Sequence, residues 1–217
     1  MKSKAINNTW IVVFVAVLGL YVASTLISNI ASLRILTLGG FSVDAGTLIY
    51  PLVFTLRDLV HKVAGTAAAR AVILISAIAN IVMAGLFALI AKLPADMMVG
   101  PQQEWVQVLS PSYRIVAASL VAMTIATLID TEAYRLWVRR FGEKYQFGRV
   151  LSSNAVSVPI DSAIFCLIAF GGVLPGAVIL SIFWANVLIK GATSLITFPL
   201  IYTIRPKEEW TLEGQIK

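Results

Sequence analysis

Six stretches of this chain, about 10–35, 47–63, 68–91, 112–138, 150–171 and 175–204, are dominated by apolar residues. A helix needs roughly 20 such residues to cross about 30 Å of hydrocarbon. In lipid every backbone polar group must find its partner inside the protein, so segments of this kind span as helices. The chain also lacks the polar residues that a water-facing surface needs: 59% are hydrophobic and 13% charged, against about 25% charged in ordinary soluble domains. The reading is an all-α polytopic membrane protein, a single integral membrane domain over 1–217 with six transmembrane helices. The first stretch is too long for a signal-peptide h-region and no A-x-A site follows it, so it counts as a span.

Charge placement orients the spans. With the N-terminus inside, thirteen of the seventeen Lys and Arg residues fall on inner segments. Arg34, Lys92 and Arg114 fall outside, and Lys190 lies within a span. The positive-inside rule therefore fits six helices with both termini cytoplasmic and a multi-pass protein of the cell inner (plasma) membrane. The net charge of +6 reflects these loops and not nucleic-acid binding. The inner loop 139–149 is basic with aromatics and reads as a headgroup anchor. The tail 205–217 is polar. Pro51 opens the second span and Pro159 interrupts the fifth. Proline-interrupted helices at matching places in two halves admit a 3+3 inverted repeat, as in many carriers.

Polar residues inside the spans fall on stripes at helical spacing. Helix 1 carries Thr25, Ser28, Asn29 and Ser32; helix 2 carries Thr47, Tyr50, Phe54 and Asp58. Helix 3 offers Ser76 and Asn80, and helix 4 offers Thr127, Asp130 and Tyr134. Helix 5 carries Asn154, Ser157, Asp161 and Phe165; helix 6 carries Asn186, Lys190, Thr193 and Thr197. Any one Ser, Thr or Asn is commonly interhelical glue. Asp58 can pair with Lys62, and Asp130 with Arg135, near the inner rim. Asp161 and Lys190 stand apart because both lie well inside their spans. A charge at the bilayer centre costs about 2.5–3.5 kcal/mol on the lenient insertion scale. They can neutralise each other as a purely structural pair. With asparagines on three helices and aromatic rings alongside, they also suit an internal pocket for a small flat heterocycle. Carboxylate and amide groups would read its edge, and rings would stack on its face.

Several chemistries find no support. Cys166 and His61 are the only residues of their kinds, so no metal cluster forms from them. No G-x-S-x-G, Walker motif or paired nucleophile and base is present. The expectation is no enzyme and no cofactor.

The stretch VDAGTLIYPLVFTLRDLVHKVAGTAAAR at 43–70 resembles the second-helix signature of the queuosine precursor transporters, also called vitamin uptake transporters. SN at 28–29, LID at 128–130, SNAVSVPIDSAIFCLIAF at 153–170 and KGATSLITFP at 190–199 follow in family order over nearly the whole chain. The family pattern matches Asn29, Asp58, Arg70, Asp130, Asp161, Lys190 and Pro199, with VDAGT at 43–47 shared by many members. The resemblance implies a six-helix importer of 7-cyano-7-deazaguanine, 7-aminomethyl-7-deazaguanine or queuine, salvaged for queuosine in tRNA. The alternative is a carrier or membrane-embedded binding subunit for another vitamin or nucleobase.

The expected substrate site is Asp161, Lys190, Asn29, Asn154, Ser28, Tyr50, Phe165 and Asn186. Asp161 would accept from the ring N–H and amine, Asn29 and Asn154 would read the remaining edge, and Tyr50 or Phe165 would stack. Lys190 would hold Asp161 ionised, and Pro159 would free a backbone carbonyl for the ligand. Asp58 and Asp130 stand as proton or coupling sites. The expected partners are the small-molecule substrate and the lipid bilayer. A homodimer and a borrowed ATPase module remain open.

Overall fold

The structure is a computed structural model that describes residues 8–141 and 146–203. Within its helices, the side chains of 8–10, 58, 61–66, 130–131, 134–135, 138, 141, 146–151, 153, 194 and 197–203 lie outside the described residues. Most of the inner loop 139–149 and the tail 205–217 lie outside them too. In order, the elements are α1 (Asn8–Ala31), β1 (Ile35–Leu38), β2 (Phe41–Asp44), a 3₁₀ turn (Ala45–Leu48), α2 (Tyr50–Ile90), α3 (Gln103–Leu109), α4 (Ser112–Phe141), α5 (Gln146–Phe170) and α6 (Gly176–Thr203).

The all-α expectation needs one correction. The first helix ends at Ala31 and not near 35, and a two-stranded antiparallel hairpin follows it. Ile35 pairs with Asp44 and Leu38 with Phe41 across a two-residue turn, Gly39–Gly40. Both turn residues have positive φ, +56° and +84°. That is the requirement of a type I′ turn, which matches the twist of paired strands and which glycine meets without strain. Asp44 then caps the 3₁₀ turn, its Oδ1 accepting from the Thr47 N–H at 3.0 Å.

The separate spans expected at 47–63 and 68–91 form one helical element of 41 residues. Pro51 sits in its first turn, where a missing N–H costs nothing. A straight helix of that length would run about 60 Å. Two hydrogen bonds show that it does not run straight. Ser28 Oγ donates to Gly46 O at 3.1 Å, and the next residue of α1, Asn29, donates to Asn80 Oδ1 at 2.6 Å. Positions 46 and 80 thus meet neighbouring points on α1, although straight helix from 50 to 80 would separate them by about 45 Å. The chain doubles back along α1 within α2. Val17 and Tyr21 of α1 accordingly pack with Val53, Leu56 and Val60 of the first part and with Ala69 and Val72 of the second.

Helices α4 and α5 pack antiparallel. Near the start of α4, Arg114 Nη2 donates to the carbonyls of Ile168 and Gly171 at 3.2 and 2.8 Å. A cation there satisfies orphan carbonyls and opposes the negative end of the α5 dipole. A second core joins Ile115, Ala118 and Ala122 of α4 to Phe165, Cys166, Ala169 and Phe170 of α5 and Ile182 of α6, with Leu33 and Ile35 laid against it.

The outside is apolar, and polar side chains are gathered inside beside the two apolar cores. Val12, Ile27, Ile78, Leu89, Leu167 and Leu188 are exposed. Ser28, Asn29, Ser32, Asp44, Asn186 and Lys190 are buried. Among the described residues four helical stretches are long and apolar enough to cross a membrane: Ile11–Ala31, Ala67–Ile90, Gln103–Ile129 and Gly176–Thr193. The apolar part of α5, Asn154–Phe170, is shorter.

Candidate functional site

Lys190 stands at the midpoint of α6, fourteen residues from Gly176 and thirteen from Thr203. Its ammonium donates to Asp161 Oδ2 at 2.6 Å. The Lys190 side chain is 2% exposed and that of Asp161 20%. The ammonium also lies 4.4 Å from the Tyr50 ring centroid and 5.9 Å from that of Phe165. Two aromatic faces and one carboxylate thus share the cation, which compensates its removal from water. Phe165 is held edge-on by Phe170 at 5.8 Å, and Tyr50 leans on Phe54 at 5.8 Å. The four residues come from three elements: α2 supplies Tyr50, α5 supplies Asp161 and Phe165, and α6 supplies Lys190.

One turn before Lys190 on α6, a second polar layer forms around Asn186, which is fully buried. Thr47 Oγ1 meets both Asp44 Oδ2 and the Asn186 amide. Ser32 Oγ donates to Asp44 Oδ1 at 2.8 Å. The far side of the amide faces Cys166 Sγ at 3.8 Å. Thr47 has a single hydroxyl proton. One of its two acceptors takes that proton; the Asn186 amide oxygen faces Thr47 and its N–H₂ faces Cys166 Sγ. The backbone here leaves no slack, for a Cβ on Gly46 would strike Ser32 Oγ and the Ser28 carbonyl.

The expected site residues separate into three groups. Asp161, Lys190, Tyr50 and Phe165 come together, and Asn186 joins the layer above them. Ser28 binds the backbone at Gly46. Asn29 faces elsewhere: it donates to Asn80, whose own amide donates to the Ser76 carbonyl at 2.8 Å and to Thr25 Oγ1 at 3.3 Å. That cluster ties α1 to the second part of α2. Asn154 is half-buried, nearly two turns before Asp161. The side chains of Asp58 and Asp130 lie outside the described residues. Pro159 is inside α5, where its ring leaves the carbonyl four residues back without its usual donor.

Sequence reasoning missed Asp44 and gave Ser32 no partner. The signal for Asp44 was present: aspartate with glycine two residues on and threonine three residues on is a turn and cap pattern. Among the described residues no group of His, Cys, Asp and Glu could hold a metal.

The arrangement offers a partly exposed carboxylate beside two aromatic rings and one cation. Nothing in it provides a nucleophile with its base. A family model described as "Putative vitamin uptake transporter" matches residues 44–204, which include Asp44, Thr47, Tyr50, Asp161, Phe165, Asn186 and Lys190. A protein of Bacillus subtilis (strain 168) named "Probable queuosine precursor transporter" is 27% identical over 187 residues, covering 84% of this chain and 80% of that protein. No solved structure matches the chain. Family and relative are both described as transporters, which agrees with a multi-pass chain that is apolar outside and gathers polar side chains inside. The chain belongs to the vitamin uptake transporter family and is a membrane transporter, not an enzyme.

Proposed function

We propose that this protein imports queuosine precursors, the 7-deazaguanines, across the cell inner membrane for salvage into tRNA. The observation that carries the reading is the Lys190–Asp161 pair, 2.6 Å apart between the Tyr50 and Phe165 rings at the middle of α6. Transporter sites lie near the bilayer midplane. A carboxylate that remains partly exposed can accept the ring N–H and amine of a guanine-like base in bidentate fashion. Tyr50 or Phe165 supplies the stacking face. Lys190 pairs with Asp161 while the site is empty and donates to the ring carbonyl when it is full. Asn154 completes the edge. The name of the Bacillus relative supports the substrate class.

In this reading the chain makes six crossings with both termini cytoplasmic. Doubling back within α2 supplies the second and third, and the two halves act as a 3+3 inverted repeat that rocks about the site. Asp58 and Asp130 are the proposed coupling carboxylates.

The test is uptake in a bacterium that lacks queuosine biosynthesis and its own precursor carrier. Each deazaguanine is supplied at low concentration and queuosine is read in tRNA on a gel that retards the modified form. Wild type should restore modification. Asp161→Asn should reduce it at least tenfold at equal membrane abundance. Failure of all three precursors with protein in the membrane would reject the substrate class and leave another vitamin as cargo.

A further inference from the structure

The hairpin lies across one end of the bundle, where α1 finishes, α4 and α6 begin and α5 ends. It reaches deep. Asn186, which its root touches through Thr47, is ten residues into α6, or about 15 Å along the axis. Polar contacts hold it on two sides. The Ser42 N–H donates to Ser181 Oγ of α6 at 2.8 Å. Asp44 accepts from Ser32 of α1, and the Gly46 carbonyl accepts from Ser28 of α1. Thr47 joins Asp44 to Asn186 of α6. Beneath the strands, Ile35 and Leu33 rest on the apolar core that contains Phe165, Phe170 and Ile182. The hairpin tip is free: Leu38 and Phe41 are both exposed. Asp161 keeps 20% of its side-chain surface exposed, and Ser157 and Asn154 continue from it along α5 away from the hairpin.

We infer that residues 35–48, the hairpin with its 3₁₀ turn, form the outer gate of the transporter, closed in this structure, and that Asp44 is its latch. The physical reason is the kind of contact. A transporter must unseal each side of its site in turn. Parting two helices exposes whole apolar faces. Lifting a short hairpin breaks a few polar contacts, which entering water can replace, and uncovers little apolar surface beyond Ile35 and Val43. Asp44 positions the gate because its two oxygens gather donors from α1 and from the turn, and through Thr47 it reaches α6. It touches no substrate. The inference rests on the reading of Asp161–Lys190 as the binding site and of the hairpin end as the outer end.

Two experiments on the full-length chain test it. In the first, Ser42→Cys/Ser181→Cys is oxidised in cells and uptake of 7-aminomethyl-7-deazaguanine is followed. Cross-linking should lower uptake at least tenfold, reductant should restore it, and each single variant should transport normally. In the second, Ser181→Cys is labelled with a membrane-impermeant maleimide from outside, without any solute. Asp44→Ala should speed labelling at least fivefold. A cross-linked chain that transports like the reduced one, or labelling unchanged by Asp44→Ala, would overturn the gate. If reduced and wild-type chains carry no 7-deazaguanine at all, the substrate reading falls, and the labelling result alone judges the gate.

Discussion

At the scale of single residues, the site is governed by one ion pair in a place where ions are expensive. Removing one partner of a buried pair leaves the other uncompensated, at a cost of about 3–5 kcal/mol, whereas an apolar replacement of both is often neutral. Lys190→Met should therefore lower stability in detergent by about 3 kcal/mol and abolish uptake. Lys190→Met/Asp161→Leu should recover thermal stability and still carry nothing. Recovery of uptake in the double variant would make the pair structural only. Both charges were legible in the sequence because each sits inside an apolar span with its solvation unaccounted for. Tyr50 and Phe165 were legible as members of polar stripes. The same manner of argument put Asn29 on the pocket face. Helical periodicity gives the face a residue occupies, but not which neighbour that face meets, and Asn29 meets Asn80 at 2.6 Å.

At the scale of elements, the hairpin is the part the sequence concealed most. ILTLGGFSVD has the two-residue glycine turn and the β-branched flanks of a hairpin. Its strands are only four residues each and follow directly on an apolar helix, so the helical pattern absorbs the first of them. The packing at its root makes a sharp contrast between glycines. Gly46→Ala would drive a methyl into Ser32 Oγ and the Ser28 carbonyl, whereas nothing lies within 4 Å of a Cβ on Gly191. Overpacking of this kind costs about 1–3 kcal/mol. Gly46→Ala should lower the melting temperature and uptake together, and Gly191→Ala should leave the melting temperature unchanged or slightly raised. Equal melting temperatures for the two variants would contradict the tight root. The Arg114 contacts at the end of α5 belong to the same scale. Arg114→Gln should cost about 1–2 kcal/mol, because two carbonyls lose a charged donor.

At the scale of the whole molecule, the reading of a multi-pass membrane transporter came from composition and the apolar stretches, and it holds: large apolar residues face outward and the family is one of transporters. The count of crossings is less direct. Helix α2 reads as one element of 41 residues, yet its hydrogen bonds to α1 require it to double back. The sequence pointed the same way, with separate apolar stretches at 47–63 and 68–91. Labelling of single cysteines from outside should modify the segment 92–102 and leave tags at both termini unmodified if six crossings are made. The central claim is that Asp161 and Lys190 hold a 7-deazaguanine. It is tested most directly by binding to the purified chain alone, in detergent, by calorimetry with 7-cyano- and 7-aminomethyl-7-deazaguanine. The account predicts saturable binding of at least one of them to wild type and a loss of at least tenfold in affinity for Asp161→Asn with an unchanged melting curve. Binding of equal strength to both proteins would contradict it.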